Sequence, residues 1–160
     1  MKLFKQLIPS MLGILMLILL ASSANSGIYS GIGYGKATLE SIDFEYAQLT
    51  LGYSSGNWAI EGRYGEGKED DFGIELDKQY SLYGVYTFEN ATNIDPYVLV
   101  GGVKSYLEAA GLEDDDTALS FGFGVAFNVT DSITINAEYT QIEDEDYDSS
   151  TIGANLIYSF

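Results

Sequence analysis

The sequence predicts an all-β fold: an eight-stranded antiparallel up-and-down transmembrane β-barrel, preceded by a cleaved signal peptide. Three observations carry this expectation. From Asn25 onward apolar residues alternate with small or polar ones in successive blocks, the period-two signature of half-buried strands. No apolar run after that point is long enough for a transmembrane helix, and no convincing stretch shows a 3.6-residue period. The composition suits strands and tight turns, with 18 Gly, 13 Tyr and 8 Phe but only 2 Pro in 160 residues.

The first element is a leader. Lys2 and Lys5 precede an apolar run from Met11 to Leu20 that ends in Ala21-Ser22-Ser23-Ala24. A basic start, a short apolar core and small residues before the cut describe a secretory signal peptide, with cleavage expected after Ala24 or one residue earlier. The alternative is an uncleaved anchor, for which the apolar run is short against the ~20 residues of a membrane-spanning helix. The domains expected are therefore 1–24, signal peptide, and 25–160, barrel. Removing residues 1–24, with two lysines and no acid, takes the formal charge from -17 to -19. No Cys stands beside the cleavage site to carry a lipid anchor.

Eight strands follow. They are expected at Ile28 to Thr38, Glu45 to Ser54, Trp58 to Gly67, Gln79 to Phe88, Tyr97 to Tyr106, Leu119 to Asn128, Ile133 to Ile142 and Thr151 to Phe160. The last three show the pattern best. Phe121, Phe123, Val125 and Phe127 share one face, as do Ile133, Ile135, Ala137 and Tyr139, and Ile152, Ala154, Leu156, Tyr158 and Phe160. Between them lie small or polar residues, Ile157 excepted, so each strand has one greasy and one small, polar face. Ser55-Gly56-Asn57, Glu89 to Pro96 and Val129 to Ser132 read as compact turns. Leu39 to Phe44 is short and acidic, while Lys68 to Lys78, Leu107 to Ala118 and Glu143 to Ser150 read as longer acidic loops. Short turns at one end and longer loops at the other describe a barrel with both termini on the periplasmic side.

The greasy face separates two kinds of barrel. A lipocalin-like soluble barrel turns apolar side chains inward and polar ones to water. Here the small, polar face carries few charges, and aromatics gather at strand ends: Tyr53 and Trp58 beside one turn, Phe88 and Tyr97 beside the next, with Phe127, Tyr158 and Phe160 near the same level. That placement predicts an interfacial girdle and a lipid-facing apolar surface.

Composition then excludes function classes. With 0 His and 0 Cys, the chain has no Ser-His-Asp or Cys-His nucleophile, no His or Cys zinc site and no disulfide framework. A formal charge of -17, from 24 Asp+Glu against 7 Lys+Arg, excludes nucleic acid as a partner, because its binders need a basic face. Gly31-Ile-Gly-Tyr-Gly35 lacks the third-glycine spacing and following helix of a dinucleotide loop. Its glycines share one strand face and are expected to make room for lumen side chains such as Tyr46 or Tyr83. No cofactor is expected. The sequons at Asn90 and Asn128 fall in turns and read as chance matches.

The stretch Phe121-Gly-Phe-Gly-Val-Ala-Phe-Asn-Val-Thr-Asp-Ser-Ile-Thr-Ile-Asn-Ala-Glu-Tyr-Thr140, with Pro96-Tyr97 followed by Gly101-Gly102 and a Tyr158-Ser159-Phe160 ending, resembles the small outer-membrane β-barrel proteins of the OmpA/OmpX-like superfamily. The resemblance spans essentially the whole mature chain. It implies residence in the outer membrane of a Gram-negative bacterium, outer-membrane lipid and lipopolysaccharide as surroundings, and a monomer. It also implies that Phe160, with Tyr158 on the same face, is the signal read by the outer-membrane assembly machinery. The enzymes among outer-membrane barrels, lipid A deacylases, palmitoyl transferases and omptin proteases, use a histidine, so no catalytic residue is expected here.

Arg63 is the only arginine, two residues from Glu61 and on the face opposite Trp58, Ile60 and Tyr64. An arginine facing lipid at the midplane costs roughly 2–4 kcal/mol, so Arg63 and Glu61 are expected in the lumen. Glu138 falls inward by the alternation of its strand. A lumen charge network of Glu61, Arg63 and Glu138 follows, with Tyr46, Gln48, Tyr83 and Asn136 around it, serving either to rigidify a filled barrel or to gate an ion path.

Most of the 24 acids fall between strands at the end away from the termini. Asp114, Asp115 and Asp116, with Asp144 and Asp146, are candidate ligands for hard divalent cations, although neither run matches an EF-hand. The alternative is a solvated, self-repelling rim. The expected function is an outer-membrane barrel with a structural or surface-interaction role. A narrow, weakly cation-selective pore and an adhesin or cation/lipopolysaccharide-binding surface protein are the alternatives.

Overall fold

The computed structural model describes residues 27–39, 42–67, 74–109, 112–143 and 148–160. The expected signal peptide lies outside them. Eight strands form a closed antiparallel barrel in sequence order: β1 (Ile28–Leu39), β2 (Ile42–Ser55), β3 (Trp58–Gly67), β4 (Ile74–Thr87), β5 (Ile94–Ala109), β6 (Leu112–Asn128), β7 (Ile133–Glu143) and β8 (Asp148–Ser159). Closure runs through β1 and β8, from Tyr29 opposite Ser159 to Leu39 opposite Ser149. No strand edge is left open along the shared wall, which is what a bilayer demands of β structure.

Burial follows the alternation and is inverted relative to a soluble barrel. Ile152 is 67% exposed, Trp58 64% and Ile60 63%, whereas Glu61 is 5%, Arg63 8% and Glu138 9% exposed. The greasy face therefore looks outward, and the soluble-barrel alternative fails on this inversion. An apolar outer band of this extent is stable against lipid and a liability in water.

The band starts flush with one end of the barrel. Tyr53 and Trp58 flank a turn whose Gly56 has φ +59, a left-handed conformation that glycine adopts without penalty. Trp58, Tyr86 and Phe88 form an edge-on aromatic series there, with centroids 4.8 and 5.0 Å apart, and Tyr158 meets Phe160 at 5.1 Å. These rings and the ends of the described residues, Gly27 and Phe160, occupy the level of the expected periplasmic girdle.

The opposite end differs from expectation. Parts of the segments read as long acidic loops are strand: β4 begins at Ile74, β5 runs to Ala109 and β6 begins at Leu112. Glu108 stands opposite Glu113, Leu107 opposite Asp114, and Tyr106 opposite Asp115. Charge runs read as loops because they are poor strand formers, but the backbone ladder continues once the hairpin is in register. The last outward apolar side chain described on β6 is Leu119, and Leu112–Ala118 carries that strand ~23 Å further at ~3.3 Å per residue. The asymmetry between the two ends thus lies in strand length, with the projecting end away from Gly27 and Phe160.

Candidate functional site

The inward face is not uniformly polar. Tyr83, Val85, Tyr97, Leu99 and Val103 form a buried cluster on β4 and β5, and Ala59, Ala126 and Ile142 pack against it. Large inward rings find space only where the paired residue on the neighbouring strand is small. A Cβ on Gly124 would lie 2.4 Å from Cζ of Tyr97, and one on Gly35 would lie 2.6 Å from the Tyr46 hydroxyl. Of the two side chains expected over the β1 glycines, Tyr46 does lie against Gly35, whereas Tyr83 lies against Gly101.

Against this packed wall the structure brings Glu61, Arg63 and Glu138 together. Strand β3 holds Glu61 and Arg63 two residues apart on the inward face, and β7 supplies Glu138 from across the lumen. Arg63 Nε donates to Glu61 Oε2 at 2.8 Å, and Nη2 donates to the same oxygen at 2.6 Å. Nη1 and Nη2 donate to Glu138 Oε1 and Oε2 at 2.6 and 2.9 Å, a two-pronged arrangement suited to the planar guanidinium. The Tyr29 hydroxyl donates to Glu61 Oε1 at 2.7 Å, and the Tyr97 hydroxyl to Glu138 Oε2 at 2.9 Å. The guanidinium carbon sits 4.7 Å from the centroid of the Tyr83 ring. Every carboxylate oxygen of the pair accepts at least one hydrogen bond, which is what buried charge requires.

The expected neighbours divide. Tyr83 stacks on Arg63 and donates to the Ser120 hydroxyl at 2.9 Å. Gln48 instead donates to Asn155 Oδ1 at 2.5 Å, and Asn136 Oδ1 is buried with no hydrogen-bond partner. Two tyrosines outside the expected set complete the network. Tyr29 shares its face with Gly31, Gly33 and Gly35, a parity signal present in the sequence. Tyr97 corrects the girdle expectation: it is 4% exposed and points inward, because position beside a turn does not decide which face a strand residue occupies.

A second polar closure lies at the turn end. Asp95, buried at 8% exposure, accepts from the Asn90 backbone N–H at 3.1 Å and from Asn128 Nδ2 at 2.7 Å. Thr134 Oγ1 donates to Asn128 Oδ1 at 3.0 Å. The lumen is thus occupied by side chains at two levels, as expected for a barrel of eight strands.

At the projecting end Lys36 Nζ lies 2.6 Å from Asp43 Oδ2, both exposed, beyond the outward Ile32 and Tyr34. The hydrogen bond from Lys36, then that from Thr38 Oγ1 at 2.8 Å, holds the Asp43 carboxyl below the usual carboxylate range. Among the described residues no group of three or more His, Cys, Asp or Glu could hold a metal ion. Asp144 and Asp146 lie outside the described residues. Asp114, Asp115 and Asp116 lie in β6, with side chains outside those described. Tyr158 is 49% exposed on the lipid face of β8, and the Phe160 backbone N–H donates to the Ile28 carbonyl at 3.1 Å.

Residues 10–160 match the family model described as the outer membrane protein beta-barrel domain. None of the curated proteins matches the chain. Among solved structures, Neisserial surface protein A is similar at 15% identity with a TM-score of 0.63, over 83% of this chain and 96% of that one. The N-terminal β-barrel domain of Pseudomonas aeruginosa OprF has 15% identity and a TM-score of 0.62, over 84% and 100%. Ail, the attachment invasion locus protein of Yersinia pestis, has 22% identity and a TM-score of 0.58, over 84% and 97%. At these identities the likeness is one of fold.

Proposed function

The chain belongs to the family of outer membrane protein beta-barrel domains, and from that premise we propose that it is a non-catalytic, side-chain-filled barrel with a structural and surface-interaction role. It is a protein of the Gram-negative outer membrane. The observation that carries the proposal is the Arg63 clamp: one guanidinium holds carboxylates from β3 and β7 at 2.6 Å each across the lumen, with Tyr29 and Tyr97 closing the remaining sides. A barrel braced in this way resists bending and excludes a continuous water column.

The projecting, acid-rich end is the part offered to the surroundings. Its negative charge selects against polyanions approaching from solution and favours cationic partners. Residues 1–24 direct export and are removed after Ala24. Phe160 and Tyr158 present the assembly signal at the barrel seam, and the inserted barrel is a monomer.

A pore is the second reading, in which the net single negative charge of the clamp makes any opened path cation-selective. The test is a gel of boiled and unboiled protein, to establish the folded barrel, followed by planar-bilayer recording. A heat-modifiable band with no steady conductance is expected, and a stable open level in the folded protein overturns the proposal.

A further inference from the structure

We propose that Tyr64 and Tyr80, directly opposite each other on β3 and β4 towards the projecting end, form an oxidative cross-linking site, where a one-electron oxidant fed by hydrogen peroxide joins the two rings through a carbon–carbon bond. Such a bond adds a covalent brace to the wall of the barrel, independent of the clamp in the lumen. The chain has 0 Cys and 0 His, and its 3 Met are Met1, Met11 and Met16, all within the expected leader. Residues 25–160 therefore carry neither sulfur, the ordinary target of oxidants, nor imidazole. Phenols and the indole of Trp58 are what remains, and Trp58 stands at the opposite end of β3.

Geometry selects one pair of phenols. Among the described residues, tyrosine rings meet each other at two places, Tyr64 with Tyr80 and Tyr80 with Tyr106. The first pair has centroids 5.2 Å apart and planes tilted by 52°, little farther apart than two directly bonded rings and twisted much as bonded rings are. The second is 6.0 Å apart at 85°, an edge-to-face contact less suited to joining ortho carbons. Tyr80 is 48% exposed, so an oxidant reaches it and fast side-chain motion closes the remaining gap. The Tyr64 hydroxyl donates to Glu66 Oε1, which puts a carboxylate in place to take the proton a phenol loses on oxidation. Gly65 opposite Gln79 is the next pair along the ladder and the last one described between β3 and β4, so the brace stands where that pairing ends.

The chemistry balances with peroxide as the final acceptor. Each ring gives one electron to the oxidant. The Tyr64 proton passes to Glu66 and the Tyr80 proton to water, leaving two neutral phenoxyl radicals whose unpaired spin is shared with the Cε carbons. A Cε of Tyr64 bonds to a Cε of Tyr80. Each of these carbons then releases its hydrogen as a proton while its own phenol oxygen takes one up, which restores both rings. Two electrons and two protons have left the protein, and one hydrogen peroxide takes them up to become two waters.

The experiment uses the full mature barrel folded in phosphatidylcholine vesicles and treated with a haem peroxidase and hydrogen peroxide, with N-acetyltyrosine amide in parallel to show that the oxidant is active. Dityrosine is followed by its fluorescence and mapped by peptide mass spectrometry on the monomer band. A cross-linked peptide pair carrying Tyr64 and Tyr80, lighter by two hydrogens, is expected in wild type and in Tyr106→Phe, and is expected to be absent from Tyr64→Phe and Tyr80→Phe. Glu66→Gln is expected to form it about tenfold more slowly, with the difference shrinking as the pH rises and solvent takes the proton unaided. No dityrosine in folded wild type while the free amide couples overturns the proposal, as does dityrosine mapped to other residues or found only between chains. An unchanged rate in Glu66→Gln overturns the part given to Glu66.

Discussion

Removing Arg63 tests the interior most sharply, because comparison with a variant that replaces every buried charge separates the cost of buried charge from the cost of lost packing. In Arg63→Ala, Glu61 and Glu138 keep only their tyrosine donors, at 2.7 and 2.9 Å, and lose the four guanidinium hydrogen bonds. Both carboxylates are below 10% exposed, so water compensates poorly. Breaking a buried pair by removing one partner costs roughly 3–5 kcal/mol, and here one cation serves two anions, which places the variant at the upper part of that range. Glu138→Gln leaves Arg63 paired with Glu61 as a neutral unit and is expected to cost about 1–3 kcal/mol. The combination Arg63→Met, Glu61→Gln, Glu138→Gln is expected to recover most of the loss, since replacing every buried charge removes the desolvation penalty. The assay is reversible urea unfolding of the barrel in phospholipid vesicles, read by tryptophan fluorescence of Trp58. A cost below ~1 kcal/mol for Arg63→Ala, or a triple variant no more stable than the single one, refutes this account of the lumen.

Three further outcomes follow from the same geometry. Gly124→Ala places a Cβ 2.4 Å from the Tyr97 ring and is expected to lower stability by about 1–3 kcal/mol; at Gly102 the added Cβ meets nothing within 4 Å and Gly102→Ala is expected to be near neutral in the same unfolding assay. Leu82→Arg, at an outward position 62% exposed, is expected to cost roughly 2–4 kcal/mol in vesicles, and a cost within ~0.5 kcal/mol, as at an ordinary wet surface, would argue against lipid contact there. N-terminal sequencing of the protein recovered from outer membranes is expected to begin at Asn25, and an N-terminus at Met1 would contradict cleavage.

The interior charges were readable from sequence because period-two alternation assigns each residue to a face once one apolar face is known. Arg63 cannot sit beside Ile60 and Tyr64 in lipid at low cost, and Glu61 follows from spacing two. Reading the lumen as small and polar fails on β4 and β5, where Val85, Leu99 and Val103 point inward. Apolar alternation does not distinguish the faces there, because both are apolar. That is why Tyr97 reads as a girdle residue and proves to be a donor to Glu138. The acidic stretches fail for another reason. Side-chain charge disfavours a strand by at most about 1 kcal/mol per residue, whereas the hairpin of β5 and β6, once closed, adds backbone hydrogen bonds pair after pair from Ile94 opposite Phe127 to Ala109 opposite Leu112.

The most direct test of a filled, braced barrel is single-channel recording of wild type and Arg63→Ala, each first shown to be folded by its heat-modifiable band. No steady conductance is expected in wild type, and the same silence in Arg63→Ala would leave no role for Arg63 as a gate. A stable open level in the folded wild type would contradict the account.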